Sequence, residues 1–318
     1  MKSVAAFLLC LAASIAGAQD WPQRPLHIVV PFPPASTPDA FARLLADNLR
    51  KRLEQAVIVD NKPGASGMLG TEAVAKAAPD GYTIGVSIVG PLVSNKLLYK
   101  TMPYDPDRDL LPITLAVTQA SLLVVPAHRQ LSNLDGLIAY LKARPGEHNY
   151  ASVGVGSLSH LTMELVALRS GTDIVHVPYS GSGQAVRALL AGDVDMACLP
   201  AVSVLQQVKA GKLRVIGATT AKRSSLLADI PTLKEQGLDD VEAGAWIGIV
   251  APAGTPSAIA DRLRREIVAV LKDPAVVAAL HRQVMDVVAS TPEEFVAQLA
   301  AERERWSAVI RKTKISLD

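Results

Sequence analysis

The chain has 318 residues, a formal net charge of +2, 49% hydrophobic residues, 19% charged residues and only 4% aromatics. Scattered basic residues and so few aromatics exclude the phosphate-tracking stripe and stacking platform that nucleic-acid binding requires. Two cysteines in such a length exclude a disulfide framework, so stability has to come from an apolar core.

Residues 1–18 read as a signal peptide. Lys2 supplies the positive start, the run from Val4 to Ala13 is apolar, and Ala16-Gly17-Ala18 fits a small-x-small cleavage site with Gln19 as the first mature residue. The apolar run is far shorter than the ~20 residues of a spanning helix. A lipoprotein anchor at Cys10 fits poorly, because Leu9 stands where a small residue is needed. Removal of this segment leaves Cys198 alone and places the mature protein in the periplasm, in a length that suits two domains of ~150 residues.

Beyond it, short β-branched runs alternate with helical patterns. Strands are expected at 26–30, 57–59 and 83–88, with helices at 40–52 and 71–77. The theme repeats with strands at 122–125, 150–152, 174–177, 194–198 and 213–217. Helices fall between them at 134–143 (capped from Ser132 or Asn133), 158–168, 184–191 and 202–208. A long apolar strand at 245–250 precedes helices at 257–271, 275–284 and 292–311, the last charged on one side. This order predicts an α/β fold with mostly parallel strands. No low-complexity linker separates the halves, so the expectation is two lobes joined by chain crossings near Leu122 and Trp246. Lobe 1 is then 19–123 plus 245–318 and lobe 2 is 124–244, with a ligand cleft between them.

The loops after certain strands carry the chemical information. Pro31-Phe32-Pro33-Pro34-Ala35-Ser36-Thr37-Pro38-Asp39 offers Thr37 as helix cap and Pro38 at the first helical position. A helix start at the carboxyl end of a strand presents unpaired N–H groups and the positive dipole end, where carboxylates bind. An ordinary strand–turn–helix connection would look the same. Ser152-Val153-Gly154-Val155-Gly156-Ser157-Leu158-Ser159-His160 is a second such loop, and Tyr179-Ser180-Gly181-Ser182-Gly183 a third. Ser159 replaces the last glycine of a dinucleotide fingerprint, and no lysine follows to make a phosphate loop. The six histidines lack metal-ligand spacing, and there is no G-x-S-x-G elbow. Ser157 and His160 lie one helical turn apart, which leaves a hydrolase or isomerase as a weaker reading. Cys198 reads as a small buried hydrophobe.

Further motifs in this order resemble the Bug-type substrate-binding receptors of tripartite tricarboxylate transporters. They are Trp21-Pro22-Gln23-Arg24-Pro25, Val59-Asp60-Asn61-Lys62-Pro63-Gly64-Ala65-Ser66-Gly67, Ala78-Pro79-Asp80-Gly81-Tyr82, Ile174-Val175-His176-Val177-Pro178-Tyr179 and Ala191-Gly192-Asp193-Val194-Asp195. The resemblance implies a periplasmic-binding-protein fold that closes by hinge motion on a small carboxylate and delivers it to membrane subunits of the transporter. It implies neither an enzyme nor a cofactor, metal or nucleic-acid partner, and the protein is expected to act as a monomer. It also implies a ligand held by Phe32, Pro33, Ala35, Ser36, Thr37 and Asp39 of the first loop, and by Ser152, Gly154, Gly156, Ser157 and His160 of the second. Tyr179 and Cys198 line the cleft by the same analogy, and Ser87 at its strand end joins the candidates. Two departures stand out. Ala35-Ser36 replaces the family's usual Gly-Gly, which would strain Ala35 if that place demands positive φ. Cys198-Leu199-Pro200 replaces a polar Asp-Asn, which points to a ligand with an apolar or aromatic portion. A ligand-presenting subunit for a membrane kinase would use the same site, so sequence leaves that alternative open.

Overall fold

The computed structural model describes residues 21–313 and 315–317; the expected signal peptide lies outside the described residues. Two mixed sheets form the frame of two lobes. The first has six strands in the order β11-β4-β10-β3-β1-β2 and the second five in the order β7-β6-β8-β5-β9.

In the first sheet, β1 (Leu26–Val30) lies parallel between β2 (Val57–Asn61) and β3 (Thr83–Ser87), with Ile28 opposite both Val59 and Ile84. Its run of Leu26, Ile28, Val29 and Val30, all buried, is what a strand covered on both faces requires, while the partly exposed His27 pairs with Asp60. Helix α1 (Thr37–Leu53) returns from β1 to β2 and buries Phe41, Leu45 and Leu49 at four-residue spacing. It begins earlier than expected: Ser36 is the cap, Thr37 is already helical, and no side chain makes a capping bond. Helix α2 (Met68–Ala75) precedes β3, and a π-turn at Gly90–Ser94 leads into the single turn α3 (Asn95–Leu98).

Strand β4 (Leu110–Gln119) has no counterpart in the sequence reading, yet it carries the sheet's antiparallel half. It pairs along its length with β10 (Ala245–Pro252), which pairs in turn with β3. Pro112 disguised it. In the structure that proline sits beside an irregularity, where the register slips between Ile249 and Val250, a place that tolerates a missing amide. Similarly, the helix expected through residue 284 ends at Arg282, and Met285–Val287 forms edge strand β11 against β4.

The second sheet contains β5 (Ser121–Pro126), β6 (Asn149–Ser152), β7 (Val175–Pro178), β8 (Met196–Pro200) and β9 (Leu213–Ala218). Helices α4 (Leu134–Ala143), α5 (Leu158–Ser170), α6 (Ser182–Ala191) and α7 (Ala201–Lys209) connect them, and Asn133 caps α4 by accepting from the Gly136 amide. Strand membership changes at Ala120, so the division expected at 123/124 falls inside β5. The returning segment is stitched to this crossing: the Thr219 hydroxyl donates to the carbonyls of Ser121 and Ala243.

Helices α8 (Ser257–Leu271), α9 (Pro274–Arg282) and α10 (Pro292–Thr313) complete the chain. The last does more than cover one lobe. Its fully buried Trp306 belongs to a core cluster that runs from Leu92 and Trp246 of the first lobe to Leu123 and Leu161 of the second. Its Arg305 donates to the Glu242 carbonyl on the returning crossing. Among the described residues no helix is long and apolar enough to cross a membrane.

Candidate functional site

A cleft of about 850 Å³ opens between the lobes, where the carboxyl ends of β1 and β6 discharge into helices. The starts of α1, α5 and α6 all contribute to its wall, through Ala35 to Pro38, Gly154 to Ser159, and Ser180 to Gly183. The first amides of a helix have no intrahelical acceptor, so each start offers N–H donors and a partial positive charge. Among the described residues, no Asp, Glu, Lys, Arg or His lines this cleft. Its titratable group is Cys198, whose thiol burial pushes up to about 12 and thus keeps neutral. The remaining wall divides into hydroxyls and amides (Ser66, Asn95, Gln119, Ser121, Ser203) and an apolar part formed by Phe32, Val117, Val186, Trp246, Ile247 and Met285.

The expected site residues separate into two groups. Phe32, Pro33, Ala35, Ser36, Thr37, Gly154, Gly156, Ser157 and Cys198 line the cleft. Asp39, Ser87, Ser152, His160 and Tyr179 do not, and the structure gives most of them another task. Asp39 is buried beneath the first loop, where Oδ2 accepts from the Ala35 amide at 2.8 Å and Oδ1 accepts from Asn61 Nδ2 at 2.9 Å. Burial alone would raise this carboxyl, but hydrogen bonds from Arg43, Asn61 and the Ala35 amide outweigh it and hold Asp39 below the usual carboxylate range. Asp39 therefore stays ionised as the brace of the loop. Ala35 has φ of 63°, in the left-handed region where alanine is strained and glycine is not. Ala35 thus holds this left-handed conformation at an energetic cost, and the Asp39 bond helps hold it there. The neighbouring Ser36 hydroxyl is shielded from solvent, has no partner among the described residues and belongs to the cleft wall.

Beneath the second loop lies a buried polar stack. His160 Nδ1 accepts from the Gly156 amide at 3.0 Å, and Ser152 Oγ meets His176 Nε2 at 2.6 Å and also accepts from the Gly154 amide. Burial drives the His160 imidazole down to about 3, with His176 adding to the shift, and burial lowers His176 as well. Two neutral imidazoles thus serve as a platform for the loop. Ser157 Oγ donates to the Gly154 carbonyl at 2.6 Å and accepts from the His160 amide at 3.4 Å, which makes it the cap of α5. Its hydroxyl is bonded to the loop backbone while the His160 ring holds a different amide, so the pair lacks the nucleophile–base hydrogen bond that acyl transfer needs. Tyr179 packs, with Val153 and Val177, against an apolar cluster of the second lobe. Ser87, 1% exposed, pairs with Gly248 inside the first sheet.

Sequence reasoning missed Ser66, Asn95, Gln119, Trp246, Met285 and Leu317 in the wall. Ser66 did fall within a quoted motif, and its φ of 53° marks a tight turn whose carbonyl accepts from Asn95 Nδ2 at 3.0 Å. The others come from strands and chain segments that carry no loop signature.

Two α/β lobes, a double crossing and a neutral cleft walled by helix starts define the solute-binding receptor class. The chain belongs to the tripartite tricarboxylate transporter family of receptors, whose family model matches residues 41–315. It is 39% identical over 308 residues to Protein BugT of Bordetella pertussis, covering 96% of this chain and 94% of that one. Among solved structures, R. palustris Rpa4515 with adipate superposes with a TM-score of 0.86 at 33% identity, over 93% of this chain and 99% of that one. MatC of Rhodopseudomonas palustris with bound malate gives a TM-score of 0.81 at 30% identity, over 91% of this chain and 100% of that one. This family and these structural neighbours are binding proteins.

Proposed function

We propose that this protein is a periplasmic receptor that captures a small carboxylate and, as a single chain, delivers it to the membrane subunits of a tripartite transporter. The observation that carries the reading is the cleft wall: three helix starts face it and, among the described residues, the one ionisable side chain there is a neutral thiol. Such a wall favours an anion through amide donors and helix dipoles. The enclosed Ser36 hydroxyl supplies a further donor whose burial without a partner otherwise costs about 1–3 kcal/mol. Adipate and malate in the two related structures agree with this ligand class.

The apolar part of the wall around Trp246, Val117 and Met285, with Cys198, supports a ligand whose carboxylate is joined to an apolar body. Purified protein extracted under denaturing conditions should release one organic acid at near-stoichiometric yield, identified by mass spectrometry. Calorimetric titration of the emptied and refolded protein should then show binding of that acid. An empty extract together with no thermal stabilisation by aliphatic or aromatic acids would refute the carboxylate reading. Stabilisation by citrate alone would retain it and remove the apolar body.

A further inference from the structure

The stretch that follows α10 reaches the ligand cleft. Ile315 and Leu317 pack against the core cluster that is continuous through both lobes. The Leu317 amide donates to the Leu98 carbonyl at 3.1 Å, which ties this stretch to the end of α3 in the first lobe. On the opposite side stands Gly156 of the second-lobe loop, at a φ of 74°. A Cβ on Gly156 would fall 2.5 Å from Leu98 Cδ1 and 3.1 Å from Leu317 Cδ1, so the two lobes already touch there. Ser94 Oγ completes the junction by donating to the Gly156 carbonyl at 3.4 Å. Leu317 is itself part of the cleft wall. One isobutyl group, anchored by its backbone to one lobe and abutting the other, therefore stops the cleft on the α3 side.

We infer that Leu317 is a specificity-determining residue that sets the length of the acid the closed cleft accepts. It rests on the carboxylate reading above. A stop made of one side chain, on a backbone fixed by its own hydrogen bond, is a sharp gauge: each methylene gained or lost in such an apolar site changes binding on the order of tenfold or more. Because Leu317 is only half-buried, its replacement leaves the fold intact.

The test is calorimetric titration of succinate, adipate, suberate and sebacate into wild type, Leu317→Ala and Leu317→Phe, with circular-dichroism melting as the check on folding. Leu317→Ala should raise the affinity ratio of the longer to the shorter acids on the order of tenfold, and Leu317→Phe should lower it. If wild type binds some of the acids and both variants keep its order of preference, or weaken all four equally, the inference is overturned and the carboxylate reading survives. If wild type binds no carboxylate, the reading falls and the inference with it.

Discussion

The imidazoles of His160 and His176 lie face to face, 3.8 Å between centroids and 11° between planes, under the loop that carries Gly154, Gly156 and Ser157. Tyr150 extends the stack on the His176 side at 5.1 Å and donates its hydroxyl to Glu164 at 2.5 Å. Two rings so close and so enclosed cannot both take a proton cheaply, and the His160 acceptor at Nδ1 is lost if that nitrogen is protonated.

Stability should therefore depend on pH through this pair. The folded His160 titrates at about 3, whereas the unfolded chain titrates near the ordinary 6.5. Below that value the unfolded state binds more protons, so the contribution is whole above pH ~6.5 and is lost as pH falls toward ~3. Between pH ~7 and pH ~5 the loss is on the order of 1–2 kcal/mol. His160→Asn retains an acceptor for the Gly156 amide but does not titrate. Its urea midpoint should fall less steeply than that of wild type across this window; parallel curves would contradict the assignment.

Ala35→Gly should relieve the left-handed strain at φ of 63°. The relief of about 1 kcal/mol or more is opposed by the greater freedom of glycine in the unfolded chain, about 0.4–1 kcal/mol. The expected net result is a stabilisation of up to about 1 kcal/mol, read from urea unfolding. A clear loss of stability would show that the Ala35 methyl group makes a compensating contact.

Trp306 is fully buried in the cluster shared by the two lobes, edge-bonded through Nε1 to Glu302. Trp306→Ala should cost about 3–5 kcal/mol, by loss of apolar burial and by the cavity left behind. Because the cluster is common to both lobes, thermal unfolding of the variant should lose cooperativity or shift as one transition to lower temperature. An unchanged melting temperature would mean that α10 is dispensable to the junction.

Cys198 faces the cleft but is 1% exposed, with a thiol pushed up to about 12. In the folded protein at pH ~8 it should react with a disulfide reagent orders of magnitude more slowly than in urea. Saturating ligand should slow the reaction further if the cleft is the route of access. Reaction as fast as in the unfolded protein would place the thiol in solvent.

Much of this architecture was legible in residue order because β1 and its loop state their roles locally. Leu26–Val30 is apolar apart from His27; Phe41, Leu45 and Leu49 recur at helical spacing, and Gly/Ser clusters follow the strands. Where local chemistry and tertiary pairing disagreed, the sequence reading failed. Strand β4 is hidden by Pro112, which the bulge against β10 makes acceptable, and β11 lies unread just beyond a helix expected through residue 284 that ends at Arg282.

The site divides along the same line. Residue types alone determined that a βα loop from Phe32 to Thr37 and a Gly/Ser loop before α5 would present helix starts, because capping and left-handed turns depend on neighbours in sequence. Only the tertiary structure decided which side chains turn toward the cleft. Asp39 and His160 carry the most chemistry in their loops, yet they point beneath them to hold the Ala35 and Gly156 amides. Leu317, far along the chain and chemically plain, is carried into the wall by α10. A side chain's direction at a loop follows from what is packed against it across the fold, and that contact has no trace in sequence spacing.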